Sequence, residues 1–259
     1  MSKTAAIILN HNMPDYTDML YESLKPYERH DYDLFVLDNA SKPEGKSKYT
    51  SFELEQNVYF GGGLNASMQF VKENPKYDSL LFLSNDLTIH GYEFVRTLRD
   101  EMFEEVFMGK YGAQEVKYDI VSPTFYNIEP NQQCHWKCMH SRCSAEIRQV
   151  PYSDFQCPLI SRRLIEAVGE IDSDLIWGWG PDWLFALTAR KLGHKIGVVD
   201  RCCVLHHNSL TVKRGVAGID IPTYCKNAES GMYKFFQKTG MYEEYMNLRN
   251  ETQQYEYKN

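Results

Sequence analysis

The sequence predicts an α/β fold: a mostly parallel, Rossmann-like central sheet flanked by helices, continued by a mixed second half. Three observations predict it. Strand-sized apolar runs at Ala5 to Leu9, Asp33 to Leu37 and Ser79 to Leu83 alternate with helix-spaced segments. Each run ends on polar chain, Asn10-His11-Asn12, Asp38-Asn39 and Ser84-Asn85-Asp86, where a parallel sheet presents its ligand edge. The length of 259 residues, with 43% hydrophobic and 24% charged side chains, suits one large buried core and argues against disorder or a membrane bundle.

Taken in order, Ala5-Ala6-Ile7-Ile8-Leu9 reads as a buried strand, and Pro14-Asp15 with Met19, Leu20 and Leu24 as the helix after it. Asp33 to Leu37 repeats the strand, a polar segment runs from Asp38 to Lys48, and Gly61-Gly62-Gly63 opens a helix through Ala66, Phe70 and Val71. With the strand Ser79 to Leu83 this half reads as a nucleotide-binding unit. Beyond Tyr118 the apolar pieces shorten to Ile120-Val121, Ile147 to Val150 and Ile196 to Val199. Helices are expected over Ser161 to Val168 and over Asp182 to Leu192, the latter ended by Gly193. The tail from Glu243 onward is polar and is expected to fray.

Charge and composition exclude several partners. A net charge of -7 and a pI near 5.6, with no dense Lys/Arg run, oppose nucleic-acid binding. The apolar runs fall far short of the roughly 20 residues that span a bilayer, and the polar Asn10-His11-Asn12 breaks any secretory pattern, so no integral membrane segment and a cytoplasmic location are expected. The seven cysteines are an odd number, three of them within Cys134 to Cys143, and they read as mostly reduced thiols. Cys134-His135, Cys138, His140 and Cys143 offer enough soft ligands for zinc, but their spacing matches no paired knuckle.

Four constellations carry chemistry. Asp86, just past a buried strand, is placed to reach a hard cation that bridges two phosphates; the plainer reading of Asn85-Asp86 is a turn or helix cap. Asp38-Asn39 stands where a carboxylate accepts hydrogen bonds from a base or ribose, or else forms an Asx-turn. Gly61-Gly62-Gly63-Leu64-Asn65 lets backbone approach a ligand and matches neither a dinucleotide fingerprint nor a Walker loop. Trp177-Gly178-Trp179-Gly180-Pro181-Asp182-Trp183 sets one carboxylate among three indoles: rings on which sugar faces stack, and an acid that takes a proton from a hydroxyl. Asp182 as a plain helix cap is the alternative. His206-His207 ends a strand-like run, and either imidazole could join Asp86 on a metal.

The ordered set resembles the GT-A glycosyltransferases, the family 2 group together with the galactosyltransferase-like enzymes that share its C-terminal motif. The resemblance covers about residues 4 to 210. Its matching features are Asn10 and Asn12, Leu37 to Ser41, Asn57 with Gly61 to Asn65, Ser84-Asn85-Asp86, Leu159 to Arg163, Val168 to Asp172, Trp177 to Asp182, Gly193 and His206. It implies one domain over 1–240, with a nucleotide-sugar-binding half (1–117) and an acceptor-binding half (118–240), followed by a tail over 241–259. It implies an inverting transfer from a UDP-, dTDP- or GDP-sugar to a hydroxyl of a glycan or glycolipid, assisted by Mn2+ or Mg2+.

The residue roles follow from the same resemblance. Asp182 is implied as general base, with Asp172 or Asp174 as the fallback. Asp86 and His206 are implied as metal ligands. Asn10, Asn12, Asp38, Asn39, Gly62, Gly63, Asn65, Asn85 and Asp86 are implied on the donor, and Trp177, Trp179 and Trp183 on the acceptor. Two positions depart from the pattern: Ser84 replaces the usual first acid of the metal motif, and Pro181 precedes Asp182 where many relatives carry Glu. The competing readings are a sugar nucleotidyltransferase, against which Asn10 to Pro14 is no basic glycine-rich loop, and an inactive glycan-binding module.

Overall fold

The computed structural model describes residues 2–28, 31–89, 93–108, 111–126, 136–207, 210–215 and 218–255. Strand β1 (Lys3–Asn10) is buried from Thr4 through Ile8, as a strand covered on both faces must be. Pro14 opens α1 (Pro14–Leu24), where its missing N–H costs no helical bond. Next come β2 (Tyr32–Asp38), β3 (Phe52–Glu53), α2 (Tyr59–Glu73) and β4 (Tyr77–Ser84). The chain continues through β5 (Leu87–Ile89), α3 (Phe94–Met102), a separate β6 (Phe103–Met108) and β7 (Tyr111–Val116) hairpin, β8 (Ile120–Tyr126), β9 (Ile147–Val150) and β10 (Leu159–Ser161). The remaining elements are α4 (Arg162–Val168), α5 (Pro181–Lys191), β11 (Ile196–His206), α6 (Leu210–Lys213), α7 (Ile221–Lys238) and α8 (Tyr242–Tyr255).

A nine-stranded sheet runs β3-β2-β1-β4-β10-β8-β11-β5, with β9 also on β11. β1, β2, β3 and β4 are mutually parallel, as are β8 and β11, while β10, β5 and β9 run antiparallel to their neighbours. The register aligns Asn10 with Asp38 and Leu9 with Ser84, so the C-terminal ends of three strands reach one edge. Chain order reverses between β2 and β4 on either side of β1, and the crevice beyond such a reversal is where open α/β sheets bind ligands.

Three expectations change in detail. Gly61 to Gly63 lie inside α2, which begins at Tyr59. A Cβ on Gly61 would meet the Leu175 carbonyl at 2.5 Å, and the Gly61 N–H donates to Ile176 O at 2.8 Å; the glycine lets the helix press on the turn before α5. Gly180, at φ +103°, is the N-cap of α5, a conformation that disfavours any other residue, so Asp182 sits inside the first turn. The tail does not fray from Glu243. It forms α8, whose Tyr245, Leu248 and Thr252 are buried, with Tyr245 stacked on Phe236 at 4.6 Å between centroids. A helix of polar mean composition still packs when its apolar positions recur every three to four residues.

Candidate active site

A cavity of about 830 Å³ opens over the C-terminal ends of β1 and β4 and runs beneath α7 and α8. Asn39, Asn85, Asp86, Trp177, Trp179, Asp182, Trp183 and His206 all line it. Asn10, Asn12, Asp38, Gly62, Gly63 and Asn65 do not, and their partners say why.

Asn10 and Asp38 are fully buried. The Asn10 amide donates to Asp38 Oδ1 at 2.8 Å and to the Gly45 carbonyl at 3.0 Å, and its Oδ1 accepts from Thr17 at 2.9 Å. Asp38 Oδ2 takes the Ser41 N–H at 2.8 Å, so this carboxylate closes the turn after β2 behind the cavity wall. Asn12 Oδ1 accepts the Lys42 N–H at 2.8 Å, tying the loop after β1 to the loop after β2. Asn65 clips α2 to the segment before α5: its Nδ2 donates to Ile171 O at 2.8 Å and its Oδ1 accepts from Ile171 N at 2.7 Å. Gly63 abuts the Leu9 side chain and Gly62 abuts Val58.

The cavity wall beside the ends of β1 and β2 is an amide network. Asn39 Nδ2 donates to Asn57 Oδ1 at 3.0 Å, and Asn39 Oδ1 accepts from Val58 N at 2.9 Å. His11 completes it, its Nδ1 at 2.7 Å from Asn39 O and its Nε2 at 3.2 Å from Asn57 Nδ2. Tyr59 leaves this network at φ +56° and packs on Trp177 with ring centroids 4.2 Å apart. His11 and Tyr59 were not picked out in the sequence, and only the polar spacing after β1 hinted at the histidine.

At the floor, Asp86 Oδ2 stands 3.3 Å from His206 Nε2, both groups buried, and also accepts the Leu210 N–H at 3.3 Å. Burial pushes the Asp86 carboxyl up, but His206 beside it and the backbone donor outweigh that, leaving it below the usual carboxylate range. Two ligands about 2.1 Å from one ion and roughly at right angles lie about 3 Å apart, so this pair fits one hard or borderline cation. Among the described residues no group of three or more His, Cys, Asp or Glu forms a metal cage, so such an ion would draw its other ligands from phosphate and water. His207 faces away, with Nε2 at 2.9 Å from Thr88 Oγ1. Ser84, in place of the motif's first acid, donates to Gln156 Oε1 at 2.8 Å. In the cysteine cluster, Cys134 and His135 lie outside the described residues, Cys138 is buried and Cys143 is exposed.

The far end is aromatic. Trp183 stacks on Tyr152 at 3.9 Å and meets Trp136 and Tyr245 edge-on, while Trp179 is 39% exposed. Helix α8 adds Tyr245, Arg249 and Gln253 to this end, one face at i, i+4, i+8, with Arg249 donating to the Tyr233 hydroxyl at 3.2 Å. Asp182 sits among these rings. Its Oδ1 accepts from the Trp183 N–H at 2.8 Å and its Oδ2 from the Tyr152 hydroxyl at 2.5 Å. Burial raises its carboxyl to about 7; the hydrogen bond from Tyr152 opposes the rise and the charge of Asp154 adds to it. Asp172 and Asp174 stand outside the cavity, paired with Lys238 and Lys234, which removes the ground for either as fallback base.

No family model and no curated protein sequence matches the chain. Solved structures do. GalNAc-T7 in complex with UDP, GalNAc and Mn2+ superposes with a TM-score of 0.58 at 14% identity, over 80% of this chain and 44% of that one. Residues 1–349 of S. aureus TarS superpose with a TM-score of 0.52 at 12% identity, over 91% of this chain and 72% of that one. This chain thus spans less than half the length of the GalNAc-T7 chain. No described helix is long and apolar enough to cross a membrane. The curled, mostly parallel sheet and its flanking helices are a glycosyltransferase-like fold of the GT-A type.

Proposed function

We propose that the chain is an inverting glycosyltransferase that moves a sugar from a nucleoside-diphosphate-sugar to a hydroxyl of a glycan or glycolipid. The observation that carries the reading is one cavity with a buried Asp86–His206 pair at its floor and, at its aromatic end, a carboxyl whose proton affinity is matched to neutral pH. A base of that strength takes a hydroxyl proton as the oxygen attacks, yet is ionised in a useful fraction of molecules.

In this mechanism the acceptor sugar lies against the indoles near Asp182, which orients its hydroxyl and excludes water. Asp182 receives the hydroxyl proton while the acceptor oxygen bonds to the anomeric carbon. The bond from that carbon to the diphosphate breaks, and the configuration inverts. A divalent ion held by Asp86 and His206 together with diphosphate oxygens would neutralise charge on the leaving group. His11, Asn39 and Asn57 present a preorganised polar wall to the nucleotide.

The first test is a thermal-shift screen of UDP-, dTDP-, GDP- and CMP-sugars with and without manganese or magnesium, followed by product anomer analysis by NMR. A metal-dependent rise with one nucleotide and an inverted product are expected. A retained anomeric configuration would remove the base role from Asp182. A rise with glycans and none with any donor would favour the non-catalytic module.

A further inference from the structure

Arg249 is half-buried on α8 and, among the described residues that line the cavity, is the single lysine or arginine. Its Nη1 donates to the Tyr233 hydroxyl at 3.2 Å, and Tyr245, one turn earlier, is its other polar neighbour; among the described residues no carboxylate partners it. Other arginines of the chain differ. Arg99, Arg148, Arg163 and Arg201 each pair with an Asp or Glu, and at a net charge of -7 the chain has acids to spare. Burial pushes the Tyr245 phenol up to about 12, so that neighbour stays neutral near pH 7 and leaves the guanidinium charge uncompensated. A guanidinium carries five N–H donors in a planar fork, and its bonds to phenols leave most of them for a ligand.

Its place in the cavity says which ligand. Tyr245 meets Trp183 edge-on at 5.4 Å, and Trp183 follows Asp182 in the chain, so Arg249 belongs to the aromatic end, away from the Asp86–His206 pair at the floor where a diphosphate fits. Resting on the transferase reading above, we propose that the acceptor is an acidic glycan whose carboxylate or phosphate oxygens pair with Arg249 as its hydroxyl faces Asp182. Two parallel N–H groups of the fork match two oxygens of either anion, and partial burial limits screening by salt. Carboxyl side chains line the same cavity, Asp86, Asp182 and Glu229 among them, so an anion finds its fixed counter-charge at Arg249, which orients the acceptor. Gln253, one turn beyond Arg249 on the same helix face, offers amide groups to neighbouring hydroxyls.

The test is calorimetric binding of short oligosaccharides in matched pairs that differ only in charge: hexuronates beside their methyl esters, and 6-phosphorylated hexosides beside the plain sugars. The wild type is expected to prefer the acidic member, and whether it does so in the uronate or the phosphate pairs tells the two anions apart. Arg249→Gln is expected to cut that preference about 10-fold, and Arg249→Lys, which keeps the charge without the fork, to restore part of it. A wild type that prefers the acidic member of no pair overturns the proposal. So does an Arg249→Gln protein that binds both members of a pair more weakly to the same extent, as a merely structural role would give. Loss of the donor's metal-dependent thermal shift in that variant would assign Arg249 to the diphosphate and overturns it too. The transferase reading fails separately: acidic glycans bound through Arg249, with no thermal shift by any nucleotide-sugar, would sink that reading and keep the acidic-glycan site.

Discussion

The two ends of the cavity are built by opposite means. The end at the strand termini is lined by Asn39 and Asn57 and backed by Asn10, Asn12 and Asp38, short amides and one carboxylate that spend their hydrogen bonds on one another and on loop backbone. The far end is made of rings, Trp136, Tyr152, Trp183 and Tyr245, packed around a carboxyl that keeps few partners. One end obtains its shape from satisfied polar groups; the other holds an acid out of water. Mutations at the first should therefore register as stability, and at the second as rate and pH dependence.

The strongest way to break that contrast is Asp182→Asn, expected to lower transfer by about 10²–10⁴-fold while metal-dependent donor binding persists, read by kinetics beside thermal shift. Near-normal turnover would remove the base assignment. The wild-type rate should also fall as pH drops below about 7, because the ionised carboxyl is the active form. The same substitution has a second sign. A carboxyl raised in the folded state to about 7 contributes stability at low pH and loses it as pH rises through that value. Asp182→Asn should thus melt higher than the wild type at pH 8, with the difference narrowing toward pH 5.

Asp86→Ala ranks next, expected to abolish the metal-dependent part of the donor's thermal shift. Asn10→Ala leaves the buried Asp38 carboxylate short of a donor and should cost about 2–3 kcal/mol in chemical denaturation. Its transfer rate, measured well below melting, should stay within about threefold of wild type if the edge is scaffold; a large donor KM effect with little loss of stability would erase the contrast. Trp179→Ala, at the exposed rim, should raise acceptor KM by about 3–10-fold through lost stacking.

Much of the sheet was legible because each strand is a compact apolar run whose polar terminus names the ligand edge. Asp86, His206 and Asp182 were legible as carboxylate or imidazole at strand or helix ends, although Asp182 was expected as the first helical residue and stands behind Gly180 and Pro181. What a carboxylate at such an end faces was not legible: Asp38 and Asp86 look alike in sequence, and only the register with Asn10 turns one of them inward. Asp154 and Tyr152 escaped notice because their meeting with Asp182 is made across elements, by α5 docking on the loop before β10. Helix α8 escaped for another reason. Its polar average hid the spacing of Tyr245, Leu248 and Thr252, which marks a buried stripe.

That helix also bears on the order in which the protein acquires its properties. Residues 242–255 emerge from the ribosome after every strand of the sheet, so the edge bearing Asp86 is complete in sequence while the aromatic end still lacks Tyr245 and Arg249. Helix α8 is thus the last described element to close over the aromatic end, where burial raises the Asp182 carboxyl to about 7.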